Sequence, residues 1–205
     1  MSNKKISSLT ITGKFYYLNR KNIKDLILSL QKPCNFFSQY DTFIQHQLIK
    51  FPFIKTVIIK KKWPNKLFIH ITGTIPIAYW NDKYILSDQG TIHNITKKKI
   101  NISNIPHFYG SYNSKIEILN HYNIINNILK NNHIVLTSIT VTHQHLWKLF
   151  VENHIEIILG RIKNITQLKK LVNIWKILKK EEKIKIKTIK YIDLRYESGI
   201  AIAWK

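Results

Sequence analysis

Two histidines, His143 and His145, are the first residues whose type and spacing could carry chemistry. At i and i+2 on a strand, both imidazoles would point to one side and could begin a metal site. A zinc site needs roughly three or four ligands, and the neighbouring Gln144 and Leu146 supply none. We therefore interpret the pair as surface histidines and predict no metal site. Cys34 is the only cysteine, which excludes an intramolecular disulfide and a cysteine-based zinc site.

Nucleophilic and acid–base chemistry find no support in the sequence. Ser198 precedes Gly199, but the nucleophile elbow of hydrolases is a GxSxG turn from strand to helix, and here the turn joins two strands. Asp193 and Glu197 lie four apart on an extended chain, so their carboxyl groups diverge and form no acid–base pair; Asp193 is expected to be solvated or ion-paired. Only 6 glycines occur, and no glycine-rich phosphate loop. We predict no enzymatic activity and no cofactor.

The clearest pattern is the run from Ile189 to Trp204. Apolar residues alternate on both sides of Glu197-Ser198-Gly199, which predicts a β-hairpin whose first strand ends at Tyr196 and whose second begins at Ile200. The glycine permits the positive φ of a tight turn. Only one residue follows this run, so we expect the last strand to be a sheet edge that can accept a strand from another chain. The alternative is a closing hairpin whose edge is merely short.

The charge balance is strongly basic, with 33 Lys and Arg against 11 Asp and Glu and a net charge of +22. Such a charge invites a polyanion, either nucleic acid or an anionic membrane surface. Lysines outnumber arginines and are spread along the chain, and no nucleic-acid-binding motif accompanies them. Ile, Lys and Asn crowd every segment, as AT-rich coding would produce. We expect no nucleic-acid partner, and a basic nucleic-acid-binding protein is the alternative function.

The hydropathy of the sequence predicts neither a transmembrane helix nor a signal peptide. No run of about eighteen apolar residues predicts a transmembrane helix. The first residues, MSNKKISSL, lack the apolar core of a signal peptide. Taken literally, the sequence gives no means of crossing a membrane.

The first third of the chain predicts a compact β-α-α-β-β unit. Its strands are expected at 8–12, 54–61 and 66–72 and its helices at 19–30 and 41–50, with Trp63-Pro64-Asn65 as the turn between the last two strands. Two helices can cover one face of a three-stranded sheet. We place a domain boundary near Thr74, which gives domains 1–74 and 75–205.

The remaining chain predicts a second α+β domain. Strands are expected at 77–80, 84–86, 133–142, 146–151 and 155–159, with helices at 114–131 and 164–180 before the final hairpin. The strands that follow each other through short turns favour a mainly antiparallel sheet, with the two helices packed on it.

Five stretches carry a resemblance to a known family: LTITGKFYY, FPFIKTVIIKKKWPNKLFIHI, IPIAYWND, the Leu159-Gly160-Arg161 turn and YIDLRYESGIAIAW. In order and spacing, across essentially the whole chain, they resemble the extracytoplasmic region of the bacterial cell-division family FtsQ/DivIB. The resemblance implies an N-terminal POTRA domain, a C-terminal β-domain and no enzymatic activity. It also implies a divisome scaffold that binds FtsB and FtsL and links early division proteins to septal peptidoglycan synthesis. A POTRA-type chaperone of exported chains would share the first domain but gives no reason for the final hairpin.

The resemblance also implies where partners bind. In the family FtsB adds a strand at the final hairpin, and the matching residues here are Arg195, Tyr196, Glu197, Ser198, Gly199, Ile200 and Trp204. A second candidate face, around Ile59 and Lys61, resembles the region tied to other division partners. Glu197 stands where the family usually has Asp, a mild change. Gln144 aligns with a family arginine that contacts FtsB, so this chain would lose a charged hydrogen bond there.

Localisation follows only from the resemblance. Family members carry a cytoplasmic tail and a transmembrane helix before the first strand, where this sequence has only MSNKKIS. The expected place is the periplasmic face of the inner membrane at the division septum, with the single-pass anchor missing from this sequence.

Overall fold

The computed structural model describes residues 8–14, 20–29, 40–62, 65–94, 102–161, 166–180, 186–197 and 199–205. By their contacts these residues form two compact units. The first unit comprises the described residues up to Pro76 together with Ser87–His93, and the second comprises Ile77–Leu86 and the described residues from Asn94 onward.

The first unit contains three strands and two helices in the predicted β-α-α-β-β order. They are β1 (Ser8–Lys14), α1 (Arg20–Ser29), α2 (Tyr40–Ile49), β2 (Ile54–Lys62) and β3 (Lys66–Gly73). The sheet order is β1-β3-β2, with β1 parallel and β2 antiparallel to β3. The predicted element order is confirmed, and the sheet has one parallel pair because two helices connect β1 to the rest of it.

Alternation along β3 explains why the helices cover one face of this sheet. Leu67, Ile69 and Ile71 are each no more than 1% exposed, whereas the residues between them are exposed. The buried residues point to one side of the strand. There they form a core with one apolar stripe from each helix: Ile23 and Ile27 of α1, and Ile44 and Leu48 of α2.

The other strands form a mixed sheet. In chain order the elements are β4 (Pro76–Trp80), β5 (Tyr84–Ser87), β6 (Ile92–Asn94), β7 (His107–Tyr109), α3 (Ser114–Asn131), β8 (Leu136–Val141), β9 (Trp147–Val151), β10 (Ile155–Gly160), α4 (Thr166–Lys180), β11 (Ile189–Asp193) and β12 (Ala201–Trp204). The described strands are ordered β12-β11-β10-β9-β8-β7-β4-β5-β6. The predicted α+β class, with a mainly β-sheet second part, is confirmed.

Parallel pairings occur where a helix connects two neighbouring strands. β7 is parallel to β8 across α3, and β10 is parallel to β11 across α4. A parallel neighbour requires such a crossover, whereas β8–β9 and β9–β10 are joined by short turns and are antiparallel. Each helix buries one apolar stripe: Ile118, Ile125 and Leu129 in α3, and Leu168, Leu171, Trp175 and Leu178 in α4.

Candidate functional site

β12 forms one edge of the larger sheet. It pairs antiparallel with β11, with Ile192 opposite Ile202 and Asp193 opposite Ala201. In the part of the chain that the structure describes, no strand pairs with its outer side. The hairpin and its edge position are therefore confirmed. An edge strand of this kind presents unpaired N–H and C=O groups to a further strand.

The bounds of the hairpin differ from the prediction. β11 ends at Asp193 and β12 begins at Ala201, so a connecting segment, described at 194–197 and 199–200, takes the place of the predicted tight turn. The strand ends because the Asp193 carboxylate accepts a hydrogen bond from the backbone N–H of Arg195 at 3.1 Å, which competes with regular strand pairing. Leu194 is buried, and its N–H donates to the carbonyl of Ile158 at 2.9 Å. Predicted site residue Ser198 lies outside the described residues.

An ion pair anchors the start of the connecting segment. Asp193 is 4% exposed and accepts hydrogen bonds from Arg195 through Nε, at 3.0 Å to each carboxylate oxygen, and through Nη2, at 2.6 Å. The guanidinium holds the pKa of Asp193 below its usual value. Of the two predicted environments for this carboxylate, the ion pair is confirmed and the solvated position is wrong.

Gly160, the last residue of β10, lies next to the stem of Arg195. Gly160 has φ +72°, and a Cβ built there would lie 3.0 Å from Cγ of Arg195. A side chain at this position would be strained by the backbone and crowded by the arginine. Glycine at the centre of the Leu159-Gly160-Arg161 turn therefore leaves room for the stem of Arg195.

Lys170 of α4 fixes the middle of the connecting segment. Its ammonium donates to the carbonyl oxygens of Tyr196, at 3.2 Å, and of Glu197. Sequence reasoning missed this residue, because nothing in the lysine-rich α4 distinguishes it from its neighbours. The one signal in the sequence is its place next to Leu171, a residue of the apolar stripe of α4. In the structure Leu171 is buried and Lys170 is half-buried.

Apolar side chains flank the edge. Tyr196 is 55% exposed, Ile200 37% and Trp204 48%. Gly199 is exposed, with no atom within 4 Å of the position of a Cβ. Arg195 and Glu197 are also exposed. The described residues of the predicted docking site thus lie on the edge strand β12 or on the connecting segment that leads into it. There the main chain could pair with a partner strand and the apolar side chains could anchor it.

The two histidines do not lie on a strand. They belong to the loop between β8 and β9, and His145 has φ +59°, so the argument that both imidazoles share a face is wrong. His145 donates through Nδ1 to Glu117 at 2.8 Å, and the same carboxylate accepts from the buried indole of Trp147 at 2.9 Å. Among the described residues no cluster of three or more metal-ligating side chains occurs. The backbone oxygen of Gln144 in this loop accepts from Nε of Arg161 at 3.3 Å.

The second candidate face points toward the helices of the first unit. Ile59 packs against the core there, and Lys61 lies 3.2 Å from Asp41 of α2. Hydrogen bonding to Lys61 contributes to a lowered pKa of Asp41. A partner role for this pair stays a prediction. Cys34 and Trp63-Pro64 lie outside the described residues.

None of the helices that the structure describes is long and apolar enough to span a bilayer.

Comparisons with known proteins cover both units. A profile described as the FtsQ-type POTRA domain matches residues 4–72, and one described as the C-terminal region of cell division protein FtsQ/DivIB matches residues 78–195. Cell division protein FtsQ of Escherichia coli (strain K12) is 32% identical over 97% of this chain and 72% of its own length. The protein of the same name from Blochmanniella floridana is 31% identical over 97% of this chain and 75% of its own length.

Proposed function

This chain belongs to the FtsQ/DivIB family of cell-division proteins, and from that premise we propose that it is a non-enzymatic scaffold of the divisome. We place its POTRA domain at 1–74 and its β-domain at 75–205. Its place would be the periplasmic face of the inner membrane at the septum, where it would connect early division proteins to septal peptidoglycan synthesis.

The partner we propose is FtsB, which would add a strand along the outer side of β12 and bring FtsL with it. The observation that carries this proposal is the edge position of β12, beside a connecting segment that Asp193 and Lys170 hold in place. In strand addition, main-chain hydrogen bonds supply affinity, and pockets for alternate side chains supply specificity. An edge whose neighbouring segment is already ordered loses less conformational freedom when the partner binds.

Each predicted site residue has a proposed role on this surface. Tyr196, Ile200 and Trp204 would be the apolar anchors, because they are exposed side chains beside the edge. Arg195 would act mainly by holding the connecting segment through Asp193, and its half-exposed guanidinium can also reach a partner. Glu197, Ser198 and Gly199 would form the rim, where the absence of a Cβ at Gly199 lets another backbone approach closely.

The alternative function, nucleic-acid binding, rests on net charge alone, and we do not adopt it.

Calorimetric titration with the extracytoplasmic segment of the organism's own FtsB tests the proposal. We expect binding at moderate salt, and a loss of at least about 2 kcal/mol in Tyr196→Ala, as for an aromatic hot spot. Tyr112→Ala is the matched control, because Tyr112 is 72% exposed but lies before α3. Failure of the wild-type chain to bind would contradict the assigned partner, and equal affinity of Tyr196→Ala would contradict the assigned surface.

A further inference from the structure

The POTRA sheet has a second face, opposite α1 and α2, which we call the helix-free face because no helix in the described part of the chain covers it. Strand register defines its residues. Side chains that alternate with the buried core residues point to this side of β1, β3 and β2. Each row of the face takes one residue from each strand in that order: Ser8, Lys66 and Lys62; Thr10, Phe68 and Lys60; Thr12, His70 and Ile58; Lys14, Thr72 and Thr56. All of them are exposed except the half-buried Thr10.

Two large apolar side chains lie in the middle of this face. Phe68 is 39% exposed and Ile58 is 51% exposed, and they occupy adjacent rows on neighbouring strands. Such diagonal neighbours across a strand pair are within reach of each other. A solvated sheet face ordinarily carries polar residues, so adjacent exposed apolar side chains rimmed by polar ones indicate a binding surface.

Charge on the helix-free face has one sign. Lys14, Lys60, Lys62 and Lys66 belong to it, and none of its twelve positions is Asp or Glu. An open groove on the face is lined by six of its residues: Thr12, Ile58, Lys60, Lys62, Phe68 and His70. Its apolar part is therefore bordered by ammonium groups, an arrangement complementary to apolar side chains interspersed with carboxylates.

We propose that the helix-free face binds an acidic polypeptide segment, whose apolar side chains pack on Phe68 and Ile58 while its carboxylates pair with the surrounding lysines. The two apolar side chains line a groove together with Lys60 and Lys62. A groove accommodates an extended polypeptide chain better than the flat surface of a bilayer. Nucleic acid fits the face less well. Single strands stack their bases on several aromatic rings, and the face offers only Phe68 and His70. It also has no arginine, whose forked guanidinium binds phosphate. This surface belongs to the first unit and does not depend on the edge of β12.

Fluorescence anisotropy with the 205-residue chain tests the proposal with a defined probe, a labelled synthetic peptide that alternates glutamate and leucine. The double variant Phe68→Thr, Ile58→Thr places a β-branched residue, which favours strands, at both positions. It should weaken binding about tenfold or more, because two apolar contacts are lost. The control double variant, Ile116→Gln with Ile177→Gln, removes two exposed apolar side chains from α3 and α4 and should leave affinity within about twofold.

A second pair of variants tests the charge without changing the apolar residues. Lys60→Gln with Lys62→Gln should weaken peptide binding and flatten its salt dependence, whereas Lys176→Gln with Lys179→Gln, on α4, should do neither. Equal losses in the two lysine pairs would overturn the proposal in favour of unspecific charge. Equal binding of a peptide that alternates glutamate and serine would do the same. Binding of phosphatidylglycerol vesicles that requires Phe68, without peptide binding, would assign the face to lipid instead.

Discussion

Replacing Arg195 by glutamine should destabilise the second unit more than replacing Asp193 by asparagine, although the two side chains form one ion pair. The reason is their unequal burial: the Asp193 side chain is 5% exposed and that of Arg195 is 51% exposed. Without the guanidinium, the buried carboxylate keeps, among the described residues, one donor, the backbone N–H of residue 195. Without the carboxylate, the guanidinium remains accessible to water, and the asparagine oxygen can still accept from that N–H.

The magnitude follows from these two end states. A buried carboxylate that loses its ionic partner costs about 3 kcal/mol, the lower end of the range for buried pairs because one donor remains. Loss of hydrogen bonds to a charged group, with both remaining groups satisfied, costs about 1–2 kcal/mol. We therefore expect Arg195→Gln to lower the free energy of unfolding by roughly 1–2 kcal/mol more than Asp193→Asn does.

The difference between wild type and Arg195→Gln should depend on pH. In the wild type, hydrogen bonding to Arg195 is the largest cause that holds the pKa of Asp193 below its ordinary value of 3.8. The stabilisation from this carboxylate is thus fully present above that value and is lost as the pH falls through the lower pKa of the folded state. In Arg195→Gln that cause is gone, so protonation of the buried carboxylate removes an unpaired buried charge. The difference in free energy of unfolding between wild type and variant should therefore become smaller as the pH falls.

Urea unfolding followed by tryptophan fluorescence measures these differences, because Trp147 and Trp175 are buried in the second unit. The pH would be varied from neutral to below the ordinary aspartate value. Equal losses in the two variants, or a gap that does not change with pH, would refute the reasoning from unequal burial.

Three further predictions each concern one residue of the second unit and include a control substitution. Gly160→Ala should cost about 1–2 kcal/mol in urea unfolding, because it combines a positive φ with a crowded Cβ, while Gly199→Ala, with open space around it, should stay within about 0.5 kcal/mol. Lys170→Met should speed amide exchange in the connecting segment and weaken FtsB binding severalfold, whereas Lys169→Met, on the same helix, should change neither. Glu117→Ala should cost about 1–3 kcal/mol, since it leaves a buried indole N–H without its acceptor, and Glu117→Gln should recover most of that loss in the same unfolding assay.

Much of the fold could be predicted, because the apolar periodicity of the sequence matches the side chains that are buried in the structure. The bounds of α3 coincide with those expected from its apolar stripe, and the strands of the first unit agree within a few residues. The parallel pairings could not be read from the sequence, since they depend on where α3 and α4 return the chain to the sheet. Local hydrophobic alternation specifies a strand but not its neighbour.

The site was predictable in place but not in detail. The alternation of Ile192, Leu194 and Tyr196 resembles a continuing strand, yet β11 ends at Asp193, whose carboxylate accepts from the N–H of Arg195. There a local hydrogen bond prevailed over the alternation. A shared face for His143 and His145 required a strand, and positive φ at His145 marks the loop between the strands predicted at 133–142 and 146–151.

Hydrogen exchange of the amides of Ala201–Trp204, with and without the FtsB segment, tests strand addition most directly. In the free chain, the amides on the outer side of β12 have no partner strand among the described residues and should exchange quickly. Strand addition predicts that they become protected when FtsB binds, together with amides of the bound FtsB segment. Binding that leaves exchange along β12 unchanged would contradict the account, because FtsB would then be held by side chains or at another surface.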